Sequence, residues 1–135
     1  MPVDLEIVSP EKLLLSRPVD MVVIPAAEGE MGVLPKHAPM IVMLRGGTIR
    51  LYEAGKVVDE LFVTGGFAEV TPERVTVLAN EATPVTAVSK AEGERRLAEA
   101  TAEYAAANKL DVPALDAAMD RMQAAEAMVA AAKAA

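Results

Sequence analysis

The sequence predicts a β + α chain: an N-terminal antiparallel β-sandwich followed by a C-terminal antiparallel α-helical hairpin. Three observations carry this. Short apolar segments of period 2, separated by turn residues, fill the first 85 positions. Strand formers nearly vanish after Val85, where 19 of the last 50 residues are Ala. A helix-start signal at Ser89 and a break at Asn108 then divide the Ala-rich part in two. The boundary falls at Val85, giving a sandwich domain over 1–85 and a hairpin domain over 86–135.

Val3, Leu5 and Ile7 alternate with Asp4 and Glu6, as in a strand with one buried face. Further strands are expected at 12–15, 19–24, 40–44, 48–52, 57–64, 67–71 and 75–79. Gly46-Gly47, Ala54-Gly55, Gly65-Gly66 and Thr71-Pro72-Glu73 supply the turns. Pro10, Pro18, Pro25, Pro35, Pro39, Pro72 and Pro84 fall at expected strand ends, where a missing N–H does least harm. Many short strands at this spacing indicate a sandwich or barrel rather than a βαβ fold.

Ser89-Lys90-Ala91-Glu92 has the S-x-x-E form of a capping box, which satisfies orphan backbone donors at a helix start. The first helix is expected to run to Ala107, and Asp111-Val112-Pro113 to open the second, with Pro tolerated in the first turn. So short a connection makes a helical hairpin. Its apolar face is thin: Leu97 and Tyr104 on one helix; Leu115, Met119, Met122 and Val129 on the other. At ~25 cal/mol per Å² such a seam stabilises little by itself. The hairpin is therefore expected to lie against the sandwich or to dock on a partner.

Composition narrows the function. Apolar residues are 53% of the chain but only two Phe, two Tyr and no Trp occur, so the core must be aliphatic. The apolar runs at 21–24 and 40–44 fall far short of the ~20 residues that span a bilayer, so no direct membrane insertion is expected. The opening MPVDLEIVS carries acidic residues and no basic region, unlike a secretory signal. With no Cys there is no disulfide framework, which fits a reducing compartment. The net charge is −7; residues 1–85 carry 7 basic and 12 acidic groups, and the rest 6 and 8. Neither part offers the basic stripe that nucleic acid requires, and an anionic lipid surface would repel both.

Chemistry is sparse. The one His, His37, lies in the stiff segment Pro35-Lys36-His37-Ala38-Pro39. With no Cys beside it, a zinc site of three or four N/S ligands is not expected, and His37 reads as a contact residue rather than a catalytic one. Glu28 and Glu30 could suggest an acid–base pair, but Ala27-Glu28-Gly29-Glu30-Met31-Gly32 reads as a solvated glycine turn, which can serve as a binding surface. Gly29 and Gly32 lack P-loop spacing, no G-K-[ST] follows, and Gly65-Gly66 joins strands instead of opening a helix. No catalytic residue, metal or cofactor is expected; the residues point to binding or coupling.

The stretch Glu28-Gly29-Glu30-Met31-Gly32-Val33-Leu34-Pro35-Lys36-His37-Ala38-Pro39 resembles the E-G-x-x-G-x-L-P-x-H-A-P signature of the ATP synthase epsilon family, called delta in mitochondria. Gly65-Gly66-Phe67-Ala68-Glu69-Val70 with Val75-Thr76-Val77-Leu78-Ala79 is a second match in order, and the opening Val8-Ser9-Pro10-Glu11 a third. The resemblance covers nearly all of the first 85 residues. It implies a ten-stranded sandwich that joins the gamma subunit to the membrane c-ring, so that proton-driven rotation reaches the catalytic alpha and beta subunits. It implies a peripheral subunit on the cytoplasmic face of the coupling membrane, the inner membrane in a bacterium. By the same resemblance Glu28, Glu30, Met31 and His37 form the c-ring contact region. Gly29, Gly32, Pro35, Pro39, Gly65 and Gly66 shape the turns.

In some members of that family the hairpin binds ATP through an I/L-D-x-x-R-A segment. Here the corresponding positions read Val88-Ser89-Lys90-Ala91-Glu92-Gly93, with Ser89 for Asp, Glu92 for Arg and Gly93 for Ala. Losing the Arg removes the natural phosphate partner, so ATP binding is expected to be weak or absent. The family hairpin also restrains ATP hydrolysis through basic residues near acidic beta-subunit loops. Arg95, Arg96 and Arg121 are the candidates, with Lys133, but Asp116, Asp120 and Glu126 offset them on the second helix. Weak or absent inhibition is the expectation.

Overall fold

The computed structural model describes residues 2–134. Ten strands precede two helices: β1 (Val3–Val8), β2 (Leu13–Val19), β3 (Met21–Ala26), β4 (Gly29–Val33), β5 (Met40–Leu44), β6 (Gly47–Glu53), β7 (Lys56–Val63), β8 (Gly66–Val70), β9 (Arg74–Ala79) and β10 (Ala82–Pro84). A single 3-10 turn, Val85–Ala87, leads to α1 (Lys90–Ala106) and α2 (Val112–Ala134). The sheet runs β10-β7-β6-β3-β5-β8-β9-β1-β2, with β4 paired to β3. Its pairs are antiparallel except β1 with β9, which run parallel and bring the chain's first strand beside its ninth.

Alternation builds the core as expected. Val3, Leu5 and Ile7 are fully buried on one side of β1, and Val75, Val77 and Ala79 repeat the pattern on β9. They pack with Val22, Ile24, Val33, Ile49, Leu51 and Val63 into one aliphatic cluster. Among the described residues no polar or charged residue is buried, and no buried side-chain polar atom lacks a partner. The core thus carries little desolvation cost.

Several elements differ from the sequence reading. The segment 27–32 is not all turn: Ala27 and Glu28 make the bend, and Gly29–Val33 is a strand with Met31 opposite Ile24 and Val33 opposite Val22. Two side-chain-free positions hid its period of 2. The run 19–24 breaks at Asp20, whose carboxylate accepts from the Ala54 N–H at 2.8 Å and so ties the β2–β3 bend to the β6–β7 turn. Pro18 lies inside β2, an edge strand where a missing N–H can face outward. Pro25 lies inside β3 and is buried. The three-residue β10 is too short to carry any periodicity.

The hairpin lies against the sandwich. Ser89 caps α1, its Oγ accepting from the Glu92 N–H at 3.1 Å. The reciprocal half of the box is missing, because the Glu92 carboxylate turns to Arg95 and Arg96. The helix–helix seam also departs from expectation. Its buried residues are Gly93 and Ala100 on α1 and Ala118 and Ala125 on α2, while Met119 faces solvent. Leu97, Tyr104, Leu115, Met122 and Val129 are only half-buried. Small residues let the two backbones approach closely, so contact comes from proximity rather than side-chain bulk.

Candidate docking surfaces

The β3–β4 bend sets out the first surface. Gly29 opens β4 at φ +138, and the alternation that buries Val33 turns Glu30 and Gly32 outward. Glu28, Glu30 and Met31 line a shallow groove of about 400 Å³ with Met40, Ile41 and Met43 of β5. Glu30 is half free: one oxygen lies 2.7 Å from Arg50 Nη2 on β6. Arg50 is held above its ordinary pKa, first by its hydrogen bond with Tyr52 and then by Glu30. Among the expected contact residues, His37 stands outside this groove, on the loop after β4. Its Nδ1 donates to the Ala38 carbonyl oxygen at 2.9 Å, and the ring is half-buried. Pro35 and Pro39 flank that loop; Lys36 between them takes φ 68, and its N–H donates to the Pro72 carbonyl at 2.7 Å. Gly32 lies within β4 and lacks the positive φ of Gly29.

A second surface was not foreseen from the strand pattern. On the outer face of the sheet Met43 stands opposite Phe67, Phe67 opposite Leu78, Leu78 opposite Val8, and Val8 opposite Leu13. This apolar row crosses five strands. Met43 is 63% exposed, Leu13 55% and Ile41, next along β5, 71%. Their neighbours Val42, Leu44, Ala68 and Val77 fill the core on the other side. A solvated sheet face is normally polar, so a contiguous apolar ladder marks an interaction surface. The signal was present in Met40–Leu44, five apolar residues with no alternation, but register alone joins it to Phe67, Leu78 and Leu13.

The third region is the joint between hairpin and sandwich. Phe62 of β7, Val85, Met128 and Ala131 form a small buried cluster there. Arg96 donates to both oxygens of Glu81 at 2.9 and 3.0 Å, and Arg95 and Arg96 both donate to Glu92. Arg121 is paired with Glu103. All three candidate regulatory arginines are thus engaged with carboxylates of this chain. Hydrogen bonds from Arg95 and then Arg96 hold the Glu92 carboxyl down at about 2, and Arg95 is raised in turn, mainly by Glu92. Gly93 packs under Val129: a Cβ there would lie 2.9 Å from Val129 Cγ2. A cavity of about 430 Å³ opens between α1, α2 and the β9–β10 turn, lined by Glu81, Glu99, Glu103 and Asp120 as well as Arg96 and Arg121. The Lys133 side chain lies outside the described residues. Among the described residues no group of three His, Asp or Glu is placed to hold a metal ion.

This arrangement has counterparts. Residues 2–85 match the family model for the ATP synthase delta/epsilon chain, beta-sandwich domain. The chain belongs to that family. It is 70% identical over 129 residues to the ATP synthase epsilon chain of Granulibacter bethesdensis, covering 96% of each chain. With the ATP synthase epsilon chain of Gluconacetobacter diazotrophicus it shares 48% identity over 132 residues, or 98% of this chain and 94% of the relative. Among solved structures it resembles a chain of the Euglena gracilis mitochondrial ATP synthase OSCP/F1/c-ring assembly, with TM-score 0.76, 27% identity, and coverage of 96% of this chain and 81% of that one. A chain of the Tetrahymena thermophila mitochondrial ATP synthase central stalk and c-ring shares the fold, with TM-score 0.68 and 12% identity over 98% of this chain and 97% of its own. The family model stops at Val85, where the sheet ends and the hairpin segment begins. Among the described residues no helix is long and apolar enough to cross a membrane.

Proposed function

We propose that this chain is a non-catalytic rotor subunit of a rotary proton-transporting ATP synthase, seated as a peripheral subunit on the cytoplasmic face of the coupling membrane. In this reading the sandwich joins the gamma subunit to the c-ring and carries torque between them. The observation that carries the reading is the exposed apolar row from Met43 to Leu13, on a sheet whose core is otherwise complete. We assign this row to gamma, and the Glu28–Glu30–Met31 groove with the neighbouring His37 loop to the polar loops of the c-ring. A ten-stranded sandwich suits such a joint, because a close-packed core transmits strain instead of yielding to it.

The test is recovery of partners from the organism's own membranes. The tagged parent chain should bring down gamma, alpha, beta and the c-ring. A variant combining Met43→Glu and Phe67→Glu should recover gamma roughly 100-fold less well, as when buried anchors of an interface are lost. Both positions face solvent in the free chain, so the variant should keep the parent's fold. Undiminished recovery by this double variant would remove the row from the interface; recovery of none of these subunits by the parent would remove the rotor reading.

The hairpin is read as a weak regulator that holds no nucleotide firmly. Glu92 occupies the place of a phosphate-binding Arg, Arg96 is committed to Glu81, and the cavity beside it sets four carboxylates against two arginines. Calorimetry of the free chain should show no micromolar ATP binding, and deleting residues after Val88 should leave ATP hydrolysis by the assembled complex nearly unchanged. Micromolar binding, or a many-fold rise in hydrolysis, contradicts this.

A further inference from the structure

The hairpin touches the sandwich through three kinds of contact, and they differ in what they can specify. The cluster of Phe62, Val85, Met128 and Ala131 is apolar and non-directional, so it favours contact without fixing register. The Arg96–Glu81 pair is partly exposed on both sides, and such pairs are screened by salt and have weak net effect. The third contact is of another kind. The Gly46 N–H donates to Gln123 Oε1 at 2.8 Å, and Gln123 Nε2 donates back to the Gly46 carbonyl at 2.7 Å. One carboxamide therefore satisfies both backbone groups of a buried residue 77 positions away.

Gly46 sits between β5 and β6, outside both strands, so neither ladder serves it. It is not among the glycines with positive φ, and its backbone does not demand the absence of a side chain. Space does: a Cβ at Gly46 would lie 2.6 Å from the Cα of Ala124 and 3.0 Å from its Cβ. The glycine is required by α2, not by the turn. A groove of about 570 Å³ lined by Met43, Phe67, Gly46 and Gln123 connects this point with the outer apolar row.

We propose that Gly46 and Gln123 form a positioning key that fixes α2 on the sandwich: the bare Gly46 backbone admits the helix at one register, and the Gln123 carboxamide locks it there. The key belongs to the free chain and does not depend on which partner the outer face binds. Releasing it loosens α2 on the sandwich and leaves the sandwich core in place, because no residue of that core is shared with the key.

Two variants of the full chain test this. Gln123→Leu removes both bonds; hydrogen exchange of α2 amides should quicken about tenfold, while exchange in β1 and β9 stays at the parent's rate. Gly46→Ala expels the helix sterically. Since the chain has no Cys, nitroxides can be placed at Lys56→Cys and Leu110→Cys alone. The parent should give one narrow distance distribution, and Gly46→Ala a broad one. Exchange in α2 that stays within about twofold of the parent in Gln123→Leu, or an unaltered narrow distribution in Gly46→Ala, overturns the proposal. Should Gly46→Ala fail to fold, the Gln123→Leu result decides alone.

Discussion

Gly66→Ala lowers the unfolding free energy by about 3 kcal/mol or more, from positive-φ strain and overpacking together. Gly66 begins β8 at φ +132, a backbone conformation that L side chains rarely adopt. A Cβ there would lie 2.1 Å from the Leu78 carbonyl oxygen and 3.0 Å from the Ala79 Cα. Both obstacles are backbone atoms of the paired strand β9, and no rotamer change relieves them. The ladder must open locally or β8 must shift, and β8 also carries Ala68 and Val70 into the core. For a chain of this size the loss corresponds to a fall in melting temperature of roughly 10 °C. Thermal and urea unfolding measure it, and a loss under about 1 kcal/mol would show that β8 can take the side chain. Gly32→Ala is the control: that Cβ would meet only Met21 Sδ at 3.6 Å, with no positive φ.

Phe62→Ala costs about 3–5 kcal/mol, the range for removing a fully buried aromatic side chain. Phe62 is 1% exposed although its strand neighbours Leu61 and Val63 point to the opposite, core side. Three consecutive buried residues on β7 mean that the sheet is covered on both faces there, and the second cover is the hairpin, through Met128 and Ala131. The loss should therefore fall on the joint. Urea unfolding should report the full cost, and amide exchange in α2 should rise more than in β1 or β9. Phe67→Ala provides the contrast, because Phe67 is 41% exposed on the outer row and its removal should cost less than about 1 kcal/mol. A Phe62 loss as small as that of Phe67 would mean the hairpin contributes no packing to the sheet.

These pairs show where sequence reading stops. Gly32 and Gly66 look alike in a string of glycine turns, and Phe62 and Phe67 alike as strand aromatics. What separates them is the identity of the atoms across the sheet. The same limit explains the missed β4, whose period of 2 is carried by Met31 and Val33 with glycines beside them. It explains the seam between α1 and α2, where Gly93, Ala100, Ala118 and Ala125 are buried while Met119 is not. A hydrophobic stripe in sequence points to large residues, whereas the close approach of two helices selects small ones.

By itself the sequence determined the strands of β1 and β9, the start of α1 at Ser89 and the break before α2. These are set by local rules: alternation, capping and turn chemistry act over a few residues. The tertiary structure alone decided that Met43, Phe67, Leu78, Val8 and Leu13 form one row, that the three arginines of the hairpin are already paired, and that Gly46 is kept bare for Ala124. Each of these depends on strand register or helix docking between segments far apart in the chain, and no local pattern encodes which residue will lie opposite which.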